Sequence, residues 1–168
     1  MRYQCDYYSC GAAAVVNALR CLGRRVSERS VRSWANTTEA DGTNEAGICA
    51  AIKGLGFEAL VFDSDYREEA VEKLQAALFY GNPVILCTQN SQHWVTVVAT
   101  LDKERRYLVV DPARTIRNLS ENGVTALSQR ELVKTWQSRN NSAPGAAFFG
   151  IVVKRRRPKK KKNRGRRR

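Results

Sequence analysis

The stretch QCDYYSCGAAAVVNALRCLG, residues 4–23, decides the fold of this chain. After Cys10 its apolar residues recur at helical spacing, interrupted only by the strongly polar Asn17 and Arg20, and Gly23 follows as a helix terminator. The pattern predicts a largely buried helix that begins directly after Cys10. The positive end of the helix dipole then points at the Cys10 sulfur and favours the thiolate, which is the nucleophilic form. A small buried cysteine at a helix start is the alternative that this stretch alone leaves open.

The residues outside this stretch divide into a helical first half and a β-rich second half. Apolar periodicity predicts further helices over residues 26–34, 43–55 and 65–80, and the capping pair Ser128 and Glu131 predicts one over residues 128–136. Short apolar runs predict strands over residues 57–62, 83–88, 93–101, 107–111 and 147–153. We therefore expect an α+β fold in which an N-terminal helical half packs on a mostly antiparallel sheet.

Length and charge distinguish a folded body from a basic C-terminal segment. A chain of 168 residues has the size of one domain and can bury a core without disulfides or metal. The segment KRRRPKKKKNRGRRR, residues 154–168, holds 12 of the 29 Lys and Arg residues and no acid, which leaves 17 bases against 16 acids in residues 1–153. A segment without apolar residues cannot bury enough surface to offset its ordering entropy. The sequence thus predicts a domain over residues 1–153 and a disordered polybasic tail over residues 154–168.

Membrane, compartment and cofactor expectations follow from simple counts. No apolar run reaches the roughly 18 to 20 residues that a bilayer span needs, and the N-terminus carries no apolar signal segment. The five cysteines are an odd number without a C-x-x-C pair, so we expect free thiols in an intracellular, reducing compartment and no secretion. A single histidine and scattered cysteines offer no obvious ligand set for zinc. No metal or other cofactor is expected, and the sequence does not define an oligomeric state.

His93 is the only histidine in the chain, and its ordinary pKa near 6.5 suits general-base work. The predicted hairpin turns around residues 102–105, so its register brings Asp111 beside His93 within a few residues. Asp111 precedes Pro112, where the strand must end, which leaves its side chain at the margin of the sheet. A carboxylate at that position can orient the imidazole. Taken singly, a surface histidine and an ordinary turn aspartate are the alternatives.

Gln4 completes a set of residues that together can perform acyl transfer. It lies six residues before Cys10, so its side-chain amide can turn back and donate to an oxyanion alongside a backbone N–H near Cys10. Gln4, Cys10, His93 and Asp111 then supply an oxyanion donor, a nucleophile, a base and an orienting group, as a cysteine hydrolase requires. Cys5 is the rival nucleophile, although it begins no helix.

Four sequence segments carry a family resemblance. The Gln4-x5-Cys10-Gly11 motif leading into an apolar helix, GTNEAGICAAIKGLGFEA (42–59), NPVILCTQNSQHWVTVVA (82–99) and YLVVDPA (107–113) resemble the bacteriocin-processing, double-glycine leader peptidases. The resemblance implies a papain-like cysteine peptidase fold with Cys10 as nucleophile, His93 as base, Asp111 as orienting group and Gln4 in the oxyanion hole. The chain contains neither a membrane span nor a phosphate-loop motif, so a stand-alone relative with a polybasic tail is expected.

The tail predicts a second, separate activity. Twelve cations in fifteen residues neutralise phosphates without reading bases, so salt-sensitive, sequence-independent binding to DNA or RNA is expected, with another polyanion, nuclear import, solubilisation and an anionic membrane surface as alternatives. No aromatic residue interleaves with the cations, so base stacking is not expected. The predicted nucleic-acid-binding residues are Lys154, Arg155, Arg156, Arg157, Lys159, Lys160, Lys161, Lys162, Arg164, Arg166, Arg167 and Arg168.

Two functional hypotheses remain at this stage. The first is a cysteine peptidase that cleaves a peptide or protein through a Cys-His-Asp triad and is tethered to nucleic acid by its tail, for example in a virion or a nucleus. The second is a catalytically inactive structural protein with a peptidase fold, also associated with nucleic acid. Selective reaction of Cys10 with a thiol-directed electrophile distinguishes them, because only the first hypothesis requires an activated sulfur at that position.

Overall fold

The computed structural model describes residues 1–101, 106–115, 122–137 and 147–156. In chain order, the elements of these residues are α1 (Cys10–Cys21), α2 (Glu28–Ala35), α3 (Glu45–Gly54), β1 (Phe57–Ser64), α4 (Arg67–Phe79), β2 (Val84–Thr88), β3 (His93–Leu101), β4 (Arg106–Val110), β5 (Val124–Ser128), α5 (Gln129–Trp136) and β6 (Phe148–Arg155). The helical first half and β-rich second half agree with the predicted α+β class. Strand β5 was not predicted.

The six strands form one antiparallel sheet in the order β1-β6-β2-β3-β4-β5. The first strand of the chain, at one edge of the sheet, therefore pairs with the last strand of the chain. In the predicted β3–β4 hairpin, Thr96 pairs with Val110 and Leu101 with Arg106, with a register shift between Val97 and Ala99. The shift lies in the middle of β3, while the end that begins with His93 pairs regularly with β2.

Helices cover both faces of the sheet, because successive strand residues point to opposite sides. Ile85 and Cys87 of β2 pack in a core cluster with helices α1, α2 and α3. Val84 and Leu86 of the same strand pack in a second cluster with α4 and α5. Helix α4 thus lies on the opposite face from the three helices that precede it.

Side-chain caps fix the starts of three helices. Ser27 accepts a hydrogen bond from the Ser30 N–H at 3.1 Å and caps α2, which begins two residues later than predicted. The predicted capping box of α5 is also present, with the Ser128 N–H donating to Glu131 at 2.8 Å. For α3 the cap is Asn44, one residue later than expected. These caps determine the direction in which each helix leaves its loop.

The last strand extends beyond its predicted end at Val153. Lys154 pairs with Glu58 and Arg155 with Phe57 in the β1–β6 ladder. Arg155 Nη2 donates to the Leu22 carbonyl at 2.6 Å, and Arg156 Nη2 donates to the Lys53 carbonyl at 3.2 Å. Both carbonyls lie at helix C-termini, where a cation is favoured. Lys154 and Arg155 are therefore strand residues, which corrects their expected place in a disordered tail.

The other nine predicted nucleic-acid-binding residues, from Arg157 to Arg168, lie outside the described residues. None of the helices in the described ranges is long and apolar enough to cross a bilayer.

Candidate active site

Cys10 is the first residue of α1, so the helix begins one residue earlier than predicted. The helix is buried from Gly11 to Leu19, so its axis is fixed by packing against its neighbours. Ser9 precedes it without making a side-chain cap, so the N–H groups of the first turn are not satisfied by that residue. The Cys10 side chain is half-buried and opens on a groove of about 660 Å³. The groove is lined by Tyr7, Tyr8, Asp41, Gly42, Thr43, Asn44, Glu45, Ala46, Cys87, Ser91, Gln92 and Trp94 in addition to Cys10.

His93 and Asp111 meet where strands β3 and β4 leave the sheet margin. His93 is the first residue of β3 and Asp111 directly follows β4, and the distance from His93 Nε2 to Asp111 Oδ1 is 2.8 Å. The Ala113 N–H donates to the same carboxylate oxygen at 2.9 Å. The side chains of His93 and Asp111 are 11% and 25% exposed, so solvent screens their interaction weakly. The contact expected from the hairpin register is present.

The pKa of His93 is raised from 6.5 to about 9 by its surroundings. Burial acts in the opposite direction, but the hydrogen bonds with Asp111 and with Cys10 outweigh it and favour the imidazolium. Since Nε2 faces Asp111, the other ring nitrogen is the one available to the Cys10 sulfur. The structure therefore brings the three predicted residues into one row, in which His93 contacts both Cys10 and Asp111.

Gln4 lies beside this row of residues, but its amide is engaged elsewhere. Gln4 Nε2 donates to the Asp6 carbonyl at 2.9 Å and to the Tyr7 carbonyl at 3.1 Å. Its Oε1 is buried and has no hydrogen-bond partner among the described residues. The Gln4 backbone N–H donates to the Pro112 carbonyl at 2.9 Å, which ties the N-terminal segment to the turn after Asp111. Both amide hydrogens that could reach an oxyanion are thus held by the loop before Cys10.

The other cysteines differ from Cys10 in their surroundings. Cys5 is exposed and accepts a hydrogen bond from Arg2 Nη2 at 3.1 Å, outside the His93–Asp111 contact. Cys87 lines the same groove as Cys10, but burial raises the pKa of its thiol to about 11. Burial also raises the pKa of Cys21 and Cys49. None of these thiols is placed as a nucleophile next to an imidazole.

The turn before His93 has a backbone that sequence reasoning missed. Gln89, Asn90 and Ser91 have φ values of 53°, 56° and 68°, which is the left-handed region that non-glycine residues rarely adopt. The Gln89 N–H donates to the Thr135 carbonyl of α5 at 2.9 Å and fixes the start of the turn. Polar residues such as asparagine tolerate this conformation best, and they were the available signal. The turn brings Ser91 and its neighbour Gln92 to the wall of the groove.

Metal binding finds no support in this region. Across the described ranges, no group of three or more His, Cys, Asp or Glu side chains is placed to hold a metal ion.

Comparisons with known proteins give a family and a set of similar folds. The model of the Peptidase C39 family matches residues 1–140. The crystal structure of a double glycine motif protease from an AMS/PCAT transporter, in complex with its leader peptide, has a TM-score of 0.67 at 21% identity and covers 92% of this chain and 89% of that chain. No curated protein sequence matches the chain.

Two further solved structures have the same fold. The peptidase domain of Streptococcus ComA, a bifunctional ABC transporter of a quorum-sensing pathway, has a TM-score of 0.67 at 21% identity, covering 92% of this chain and 97% of that one. The N-terminal peptidase C39 like domain of a toxin secretion ATP-binding protein from Vibrio parahaemolyticus has a TM-score of 0.61 at 12% identity, covering 88% and 98%.

The fold and the family model agree with the resemblance read from the sequence. The α+β architecture is shared with double-glycine leader peptidase domains, and the matched region includes Cys10, His93 and Asp111. The chain belongs to the peptidase C39 family and is a papain-like thiol peptidase.

Proposed function

We propose that this chain hydrolyses a peptide bond with Cys10 as nucleophile, His93 as proton carrier and Asp111 as orienting carboxylate. The observation that carries the proposal is the unbroken row of contacts from Cys10 through His93 to Asp111, with 2.8 Å between His93 Nε2 and Asp111 Oδ1. A raised histidine pKa of about 9 supports an imidazolium at neutral pH. Such a group is ready to give a proton to a leaving amine.

The reaction proceeds in two acyl-transfer steps. The Cys10 sulfur attacks the carbonyl carbon of the scissile bond, and the carbonyl oxygen becomes an oxyanion. The His93 imidazolium donates its proton to the leaving nitrogen as the C–N bond breaks, which leaves a thioester on Cys10. His93 then takes a proton from water, the resulting hydroxide attacks the thioester, and the new carboxylate leaves as Cys10 regains its sulfur electron pair.

Oxyanion stabilisation is assigned to the start of α1 and to Gln4. The backbone N–H of Cys10 is among the groups at the N-terminus of α1 that Ser9 does not cap. Gln4 contributes an amide N–H to the oxyanion after giving up one of its two hydrogen bonds to loop carbonyls. The hydrogen bond to the Tyr7 carbonyl is the longer of the two, at 3.1 Å. This exchange fits the general observation that catalytic hydrogen bonds tighten only when substrate is bound.

The substrate proposed is a peptide or protein segment ending in small residues at the cleaved bond. A leader peptide is the ligand of the double glycine motif protease with the similar fold. In this chain Cys10 shares its groove with Tyr7, Tyr8 and Trp94, and these aromatic side chains can cover an extended peptide. A Gly-Gly-aminomethylcoumarin peptide is a suitable first probe, because it carries two glycines before a fluorogenic leaving group.

Labelling and turnover test the proposal together. With sub-stoichiometric iodoacetamide at pH 6.5, we expect modification at Cys10 in preference to the exposed Cys5 and Cys21, and loss of that preference in His93→Ala. Hydrolysis of the coumarin peptide is expected to disappear in Cys10→Ala. Equal labelling of all cysteines, together with no hydrolysis by the wild-type chain, would instead favour the inactive structural protein.

We further propose that the segment after Arg156 binds DNA or RNA through its phosphates. Residues 1–153 carry nearly equal numbers of bases and acids, so the cationic charge of the chain is concentrated in its C-terminal segment. If six to ten phosphates are contacted, affinity for duplex DNA should fall by about 10³ to 10⁵ between 50 and 200 mM salt. Truncation after Arg156 should abolish binding. Such a tether would retain the peptidase on nucleic acid in a virion or a nucleus.

A further inference from the structure

Helix α2 places a buried acid against the loop that leads to the nucleophile. The Glu28 side chain is 2% exposed, although glutamate is rarely buried. Its Oε1 accepts a hydrogen bond from Ser9 Oγ at 2.7 Å and another from the Cys5 N–H at 3.1 Å. The second oxygen lies 3.7 Å from Arg2 Nε, a distance too long for a hydrogen bond. Glu28 therefore holds the loop by hydrogen bonds near both of its ends. One is to Cys5, beside Gln4, and the other is to Ser9, beside Cys10.

One helical turn later, Arg32 contacts the middle of the same loop. Arg32 Nη1 donates to Asp6 Oδ2 at 2.5 Å, and Nη2 donates to the Tyr8 hydroxyl at 2.6 Å. Its guanidinium carbon also lies 5.0 Å from the centre of the Tyr8 ring. Residues four apart on a helix share one face, so Glu28 and Arg32 act on the loop from the same side.

The loop of residues 4–9 in turn holds the side-chain amide of Gln4. The Asp6 carbonyl accepts hydrogen bonds from Gln4 Nε2 at 2.9 Å and from the Ser9 N–H at 3.1 Å, and the Asp6 N–H donates to Ser9 Oγ at 3.1 Å. The Tyr7 carbonyl accepts the second hydrogen bond of Gln4 Nε2. Ser9 thus connects the Glu28 carboxyl group to the carbonyl that positions Gln4. A shift of the loop would move the Gln4 amide, whereas α1 is held by its own buried packing.

We propose that Glu28 and Arg32 are positioning residues for the oxyanion hole. Both side chains extend from α2 and fix the loop of residues 4–9, and we call this pair the clamp. The proposal rests on the proposed function, because it assigns Gln4 to the oxyanion. The clamp acts on the transition state, since the oxyanion forms only there. Its loss should lower kcat and leave KM nearly unchanged. It should also spare reactions of Cys10 that form no oxyanion, such as alkylation.

The test variant is Glu28→Met, which keeps the length of the buried side chain and removes the oxygen that accepts from Ser9 Oγ and the Cys5 N–H, whereas Glu28→Gln would keep an amide oxygen at that place. We expect kcat for the Gly-Gly-aminomethylcoumarin peptide to fall about 10- to 100-fold, as for a small misplacement of a catalytic group, while KM changes by less than about twofold. Alkylation of Cys10 by iodoacetamide should keep its wild-type rate. Arg29→Gln is the matched control, because Arg29 is exposed on the same helix, and it should leave kcat unchanged.

A double-mutant cycle separates positioning from a merely structural role. If Glu28 acts through Gln4, Glu28→Met should cost less than about twofold in a Gln4→Ala background, because the donor that it positions is already absent. Equal losses in both backgrounds would overturn the proposal. Should Glu28→Met fail to fold, Ser9→Ala removes the same 2.7 Å hydrogen bond from its other end and serves in the same cycle.

The two proposals fail in distinguishable ways. An active wild-type chain with an unchanged kcat in Glu28→Met would overturn the clamp and leave the peptidase mechanism intact. Parallel losses of kcat and of Cys10 alkylation would also overturn it, because they would indicate a general disturbance of the site. Activity that persists in Cys10→Ala would overturn the proposed mechanism, and the clamp with it.

Discussion

The charge on His93 links catalysis to folding stability, and Asp111→Asn tests that link. A histidine pKa raised from 6.5 to about 9 means that the folded state binds the proton more tightly than the unfolded state does. The contribution to stability is therefore complete below about pH 6.5 and is lost as the pH rises through about 9. The rise in pKa corresponds to about 3 kcal/mol of unfolding free energy at pH 6, about 2 at pH 7.5 and less than 1 at pH 9.

Burial lowers the pKa of His93, and its interactions with Asp111 and Cys10 raise it. Asp111 is the larger of these two contributors. We therefore expect Asp111→Asn to lower the free energy of unfolding by about 2 kcal/mol at pH 6 and by much less at pH 9.5. An asparagine retains the oxygen that accepts from the Ala113 N–H, so this second hydrogen bond need not be lost. The variant should fold, with reduced turnover because the imidazole is no longer oriented.

Urea unfolding followed by tryptophan fluorescence between pH 5.5 and 9.5 measures this difference directly. Comparing the two proteins at each pH cancels the titration of all other groups, provided that the slope with urea is unchanged. A stability difference that is constant over this range, or that grows with pH, would refute the proposed ion pair. His93→Gln is the appropriate second variant, since it removes the titrating group and should flatten the pH dependence.

Three other predictions concern the body of the protein. Urea unfolding should show that truncation after Arg156 leaves the free energy of unfolding unchanged. Truncation after Val153 should lower it by about 1 to 3 kcal/mol, because strand pairs and hydrogen bonds to helix C-termini are lost. Gly47→Ala should destabilise the packing of α2 on α3, because a new Cβ would lie 2.3 Å from the Ala35 carbonyl oxygen; an unchanged melting temperature would contradict this. Ser128→Ala should cost about 1 kcal/mol by removing a capping box, and calorimetry would detect the lower melting temperature.

The sequence allowed prediction of those parts of the site that depend on local pattern. The apolar run after Cys10 predicted α1, and the register of the predicted hairpin placed Asp111 near His93. Both arguments work because helix and strand periodicities fix relative positions over short distances. The catalytic roles of these residues are still predictions.

Features that depend on tertiary packing could not be predicted. Glu28 reads as an ordinary acid in the first turn of an amphipathic helix, and only the fold shows that the loop of residues 4–9 buries it. Strand β5 is half-buried throughout and has no strong alternation, because it lies at the sheet edge. The end of β6 was misplaced since its basic residues resemble the tail, although pairing with β1 keeps them in the sheet.

The helix that carries the nucleophile also sets the distance between chemistry and tether. Cys10 begins α1, and the hydrogen bond from Arg155 reaches the carbonyl of Leu22 just past its end. The 12 residues of α1 span about 18 Å at the usual rise per residue. If the segment after Arg156 binds a polyanion as proposed, Arg155 just before it meets the end of α1 opposite to Cys10. The proposed anchoring and the proposed chemistry would then not compete for the same end of this helix.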